Sequence, residues 1–131
     1  MASENEQVVR RYLDHFNATG EPLWDLPDPE IVFVTRSDLG HSTYQGVEGI
    51  ERATKSFREV WGDSIRLEVL EVFGEDSPLV AVMRFDVRGV ASGAELEVDE
   101  GWAFWMRDGR FMRIEQHGSR ERALESAGLS G

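Results

Sequence analysis

Two kinds of periodicity divide the chain. Near the start, Val8, Val9, Tyr12, Leu13 and Phe16 recur at steps of one, three and four residues, which predicts a helix over 5–18 with one buried face. Ser3 and Glu6 have the spacing of a capping box at its start, and Gly20 supplies a stop. The same spacing returns in Val47, Ile50, Ala53, Phe57 and Val60, predicting a second helix over 47–61 that Gly62 ends. Between them, prolines leave room for a short turn carrying Leu23, Trp24 and Leu26, followed by a strand at 31–35 and a loop at 36–46, RSDLGHSTYQG. From Ser64 onward the period shortens to two. Four β-rich runs, at 64–73, 79–90, 94–106 and 110–117, are separated by GEDSP, by the ASG of 91–93, and by Asp108-Gly109, a two-residue hairpin signal. A short helix over 119–127 closes the pattern. Two helices, a strand and a long antiparallel meander make an α+β domain with the helices on one face of the sheet.

Composition narrows the class. At 131 residues the chain is one domain, 1–131, and 40% hydrophobic against 30% charged residues is the balance of a soluble globular protein. The net charge of −11, from 25 acidic and 14 basic residues, repels phosphate backbones and anionic bilayers, so no nucleic acid and no membrane is expected as a partner. With no Cys, disulfides, thiolate nucleophiles and thiolate metal sites are all excluded. The first residues, MASENEQVVRRY, lack the apolar stretch of a signal peptide, and a cytoplasmic location is expected. An arginine-rich, lysine-poor usage, with Lys55 the one lysine, fits a GC-rich bacterial genome and implies no function. No glycine-rich loop follows a strand and no His or carboxylate pair has metal spacing, so neither a cofactor nor a metal is expected.

The segments VVRRYLDHFNATGE, YQGVEGIERATKSF, RGVASGAELEV, FWMRDGRFMRIE and ERALESAGL, in that order, carry a resemblance that covers nearly the whole chain. The sequence resembles the SnoaL-like proteins of the nuclear transport factor 2-like superfamily, relatives of polyketide cyclases, ketosteroid isomerase and limonene epoxide hydrolase. The resemblance implies a cone-shaped curved antiparallel sheet with helices covering its concave face around a cavity. It does not name a reaction.

Pairing outward from the turns suggests which side chains face that cavity. A two-residue turn at Asp108-Gly109 pairs Trp105 with Met112, Ala103 with Ile114 and Gly101 with Gln116, and a turn at Ser92-Gly93 adds Arg84, Asp86 and Asp99 to the same face. Simple alternation along 81–87 points the other way, making Ala81, Met83, Phe85 and Val87 the core side and leaving Arg84 and Asp86 in solvent. In the implied fold the concave face lines the cavity and an apolar convex face packs in a dimer. That assignment puts Met83, Phe85, Trp102, Phe104 and Phe111 on the convex face and predicts a homodimer.

Candidate chemistry follows from both the residues and the resemblance. Arg84-x-Asp86 is similar to the Arg-x-Asp of limonene epoxide hydrolases, in which an arginine and two carboxylates position and deprotonate a water. The second aspartate of that pattern falls at Gln116, which cannot exchange a proton, so Asp99 would have to serve. An ordinary cross-strand ion pair is the alternative. Tyr12 falls where ketosteroid isomerases carry a hydrogen-bond donor to the developing enolate, and Asp38 lies near their base. The acid completing that site falls at Gly101 and is missing. For Tyr12 and Asp38 the plain readings are a core tyrosine and a loop cap. His41 in the same loop is a candidate base or substrate contact, and Tyr44 shapes the loop or touches the ligand. Trp24, Phe33, Phe57, Trp61 and Trp105, with Met112, Ile114 and Gln116, are candidates for a lining suited to a small apolar molecule. Three functions stay open: a cofactor-free isomerase, cyclase or hydrolase using acid/base chemistry, a non-catalytic small-molecule binder, and an assembly module without ligand.

Overall fold

A computed structural model describes residues 3–37, 40–62, 65–89, 91 and 93–130, the side chains of 36, 37, 40, 41, 60 and 61 excepted. Helix α1 spans Glu4–Thr19. Its N-cap Ser3 accepts a hydrogen bond from the Glu6 amide, and Gly20, at φ 74°, closes its last turn onto the Phe16 carbonyl. Helix α2 spans Gly46–Trp61 and helix α3 spans Arg120–Ala127, capped by Ser119 and Gly128. The strands are β1 (Pro27–Ser37), β2 (Gly40–Gln45), β3 (Arg66–Phe73), β4 (Leu79–Arg88), β5 (Glu95–Arg107) and β6 (Arg110–His117). They form one six-stranded sheet in the order β2-β1-β6-β5-β4-β3.

Three features correct the sequence reading. The segment read as a loop contains strand β2, which pairs antiparallel with β1 along the sheet edge. The sheet is mixed rather than purely antiparallel, because β1 runs parallel to β6. The third correction decides the faces. The Asp108-Gly109 turn is as expected, with both residues at positive φ and Arg107 opposite Arg110. Immediately beyond it Met106 pairs with Phe111 but Trp105 with Arg113, so Met112 is an extra residue in β6. That bulge moves the register by one. Phe104 then faces Ile114 and Trp102 faces Gln116, where an unbulged ladder would have paired Ala103 and Gly101 with them.

The helices divide between the faces. Helices α1 and α2 cover the concave face, where Val9, Tyr12, Leu13 and Ile50 bury against Ile31, Phe33, Met83, Phe85, Trp102, Phe104, Phe111 and Ile114. Helix α3 lies on the opposite face, where Ala123 and Leu124 pack on Val80, Val82 and Ala103. Gly101 makes that approach possible: a Cβ there would come within 2.7 Å of the Ala123 Cβ and 2.9 Å of the Ser119 carbonyl oxygen. The aromatic residues placed on a convex dimer face are therefore core residues, and the expectation of a homodimer loses the surface on which it rested. Among the described residues no helix is long and apolar enough to cross a membrane.

Candidate functional site

Helical and strand periodicity converge on one cavity, of about 670 Å³, between α1, α2 and the concave face. From α1 it receives Tyr12 and Phe16, one turn apart on the buried stripe, and from α2 Ile50, Ala53, Thr54, Ser56 and Phe57. The sheet supplies Phe33 and Thr35 from β1, Tyr44 from β2, Phe85 from β4, Trp102 from β5 and Gln116 from β6. Ring contacts tie these walls together. Phe16 meets Phe57 at 6.4 Å between centroids, Phe33 meets Tyr44 at 6.2 Å, and Phe85 stacks on Trp102 at 5.7 Å with 26° between planes. Tyr44 keeps its place because Gly49 leaves room for it: a Cβ at Gly49 would stand 3.0 Å from the Tyr44 Cβ.

The polar groups of the cavity are few and uncommitted. Tyr12 is buried and edge-on to Phe111, 4.9 Å between centroids, and burial lifts its phenol well above the ordinary range, so it is a hydrogen-bond donor and not a base at neutral pH. Neither its hydroxyl nor the side chains of Thr35 and Gln116 have a hydrogen-bond partner among the described residues, and none is sealed off as a buried unsatisfied group. They are left to water or a ligand. One carboxylate is bonded to this wall without itself lining the cavity. Glu100, two positions before Trp102 on β5, shares its face and accepts the Trp102 indole N–H at 3.0 Å. Burial pushes the Glu100 carboxyl up, against the opposing pull of that hydrogen bond.

The structure sorts the sequence candidates. Tyr12, Tyr44, Phe57 and Gln116 line the cavity together. Ile114 is on the same face but fully buried in the core, and Met112 is the bulge residue and does not reach the cavity. Trp105 points to the outer face, where Arg113 sits over its ring at 5.9 Å. Trp24 lies on the surface, in a separate groove with Glu51, Lys55 and Arg58. Arg84, Asp86 and Asp99 do share a face, as paired, but it is the outer one. Arg84 donates to Asp99 at 2.9 and 3.3 Å with both side chains about half in water, and Asp86 is exposed. Their placement on the cavity face is corrected: the Met112 bulge turns Gln116 inward without them. Asp38 and the side chain of His41 lie outside the described residues. Sequence reasoning missed Phe85 and Trp102, although alternation through 81–87 pointed to the first. It also missed Glu100, which falls on the concave face one residue before Gly101, the position aligned with the missing acid.

A second polar cluster belongs to the outer face. Glu115 is buried under α3, where it accepts from Ser126 Oγ at 2.5 Å and Arg113 Nε at 2.7 Å and lies 2.9 Å from His117 Nε2. Burial alone would raise its carboxyl, but these hydrogen bonds outweigh that and hold it at about 2.

No family model matches the chain, and no curated protein matches its sequence. Solved structures do match. TerC, co-crystallised with polyporic acid, superposes with a TM-score of 0.77 at 21% identity, covering 95% of this chain and 98% of its own. A nuclear transport factor 2-like protein of unknown function from Burkholderia pseudomallei gives 0.78 at 18% identity, again over 95% and 98%. A protein with a ketosteroid isomerase-like fold from Catenulispora acidiphila, in complex with trimethylamine, gives 0.75 at 13% identity over 99% and 96%. The chain has the α+β fold of the nuclear transport factor 2-like superfamily. At these identities the likeness speaks to the fold alone.

Proposed function

We propose that the concave cavity is the functional site and that it takes up a largely apolar small molecule bearing a hydrogen-bond acceptor. The observation that carries this reading is the pairing of an aromatic wall with polar groups that have nothing else to bind. Phe16, Phe33, Phe57, Phe85 and Trp102 supply the apolar surface, and the Tyr12 hydroxyl and Gln116 carboxamide supply orientation. Two counterparts of the same fold were crystallised with small molecules, polyporic acid and trimethylamine, which supports a ligand cavity here. The test is a titration with 2-naphthol followed by NMR. The Trp102 indole N–H and the Gln116 side-chain amide should shift while the Trp24 indole does not. Shifts confined to Trp24, or absent, defeat the reading.

Cofactor-free acid/base turnover, as in an isomerase, cyclase or hydrolase, is a second reading, and Glu100 favours it. A carboxyl pushed up by burial, on the same face of the sheet as a tyrosine donor, supplies the two groups that proton abstraction next to a carbonyl requires. In D₂O, a ketone bound in the cavity should gain deuterium at its α-carbon, at a rate abolished by Glu100→Gln and lowered by Tyr12→Phe. Exchange no faster than in buffer leaves binding as the whole function.

A further inference from the structure

We propose that the ligand of this cavity carries a protonated amine, held against the aromatic rings with Glu100 as its counter-ion. The inference rests on the cavity being a ligand site and adds the charge of what enters it.

The argument begins with what the walls lack. No Lys, Arg or His lines the cavity among the described residues, whereas the rings of Phe16, Phe33, Tyr44, Phe57, Phe85 and Trp102 do. Aromatic faces carry the negative lobe of the ring quadrupole, so a box of ring faces favours an alkylammonium group over an anion. The second observation is the isolation of Glu100. The register pairs it with Met83, a core residue, and places it between the levels of Trp102, opposite Ala81, and Val98, opposite Phe85. It thus sits behind the cavity lining, bonded to Trp102, whose ring stacks on Phe85 in the wall.

Other acidic side chains that the fold covers or pairs have cations. Glu115 has Arg113, Asp99 has Arg84, and Glu21 has Arg58. Glu100 is only partly exposed, yet among the described residues its one polar contact is the neutral Trp102 indole. A half-buried carboxylate without a positive partner is costly, and a bound cation removes that cost. The upward displacement of its titration by burial is the signature of the missing partner. The net charge of −11 adds a long-range bias, concentrating cations around the protein.

The test compares two probes of one shape: benzyltrimethylammonium and its uncharged carbon isostere, neopentylbenzene, each titrated by NMR on the Trp102 indole N–H. The wild type should hold the cation about tenfold more tightly, the scale of a cation–π contact with a partly desolvated ion pair. Glu100→Gln should erase most of that preference while leaving the isostere's affinity unchanged. If the isostere binds as well as the cation or better, the inference is overturned and the cavity reading stands. Unequal binding that Glu100→Gln does not alter removes Glu100 from the role and overturns it equally. If neither probe moves the Trp102 signal, the cavity reading itself fails and takes the inference with it. The wild-type comparison needs no variant, so a misfolded Glu100→Gln would not obscure the outcome.

Discussion

The two faces of the sheet handle polar groups in opposite ways. On the outer face three carboxylates meet an arginine: Arg84 lies across from Asp99, Arg88 is paired with Glu95, and Arg113 donates to Glu115, which also has Ser126 and His117 at hydrogen-bond distance. On the concave face Tyr12, Thr35 and Gln116 line the cavity with no hydrogen-bond partner among the described residues, and Glu100 behind Trp102 bonds only to that indole. Satisfied polar groups hold structure, whereas unsatisfied ones await something from outside. The contrast separates residues that resemble an active site from residues positioned to be one. By composition, the Arg84-Asp86-Asp99 cluster is the more suggestive. By placement, it is a solvated ladder.

The contrast can be broken most severely at Phe104, which is wholly buried with its ring against Trp102 and Phe111. Phe104→Glu should cost more than about 4 kcal/mol and unfold the protein, rather than convert a dimer to a monomer, as urea denaturation followed by circular dichroism would show. On the outer face, Glu115→Gln keeps the shape but removes the charge from three hydrogen bonds and should cost about 1–3 kcal/mol. Because the folded carboxyl of Glu115 sits at about 2 and the unfolded one at the ordinary value of 4.5, its contribution is complete above about pH 4.5 and fades as the pH falls toward 2. Wild-type melting temperatures should drop through that window, and those of Glu115→Gln should drop less.

Smaller effects sharpen the comparison. Tyr12→Phe removes a hydroxyl that has no hydrogen-bond partner among the described residues, so stability should stay within about 0.5 kcal/mol. Ligand affinity should nevertheless fall several-fold by titration. Smallest of all, Arg84→Met and Asp99→Asn should leave both the melting curve and ligand binding unchanged, because an exposed ion pair is screened by water and salt. A large loss of stability from either would mean that the outer face is not solvated.

Helices were legible because their signals are local. The stripe of Val9, Tyr12 and Leu13, the Ser3 cap and the Gly20 stop all lie within one element, and the observed bounds differ from the expected ones by a single residue at each end. Strand β2 was not, since an edge strand paired along one side needs no apolar alternation, and GHSTYQ has none. The Met112 bulge left no mark either. It contains no Gly or Pro, and its effect is felt several residues away, at Gln116 and Glu115, which trade faces because of it. The apolar sequence Trp102-Ala103-Phe104-Trp105-Met106 fits either face, so register alone decides which carboxylate of the adjacent pair Asp99-Glu100 falls on the concave face. Alternation along β4 carried the right answer in Met83 and Phe85. The expectation of an apolar convex face, taken from the resemblance, overrode it.

The parallel pairing of β1 with β6 has a consequence in time. Thr35 and Gln116 are neighbours across that seam yet about 80 positions apart in the chain, so their meeting closes a long loop and is slow compared with forming α1 or the β5-β6 hairpin. On the ribosome the seam must wait for almost the entire chain to emerge, since β6 is the last strand made. The cavity has one wall on each side of this seam, Phe33 and Thr35 before it and Trp102 and Gln116 after it. Ligand binding therefore reports the final event of folding, and a nascent or truncated chain with its early helix in place would have nowhere to hold a guest.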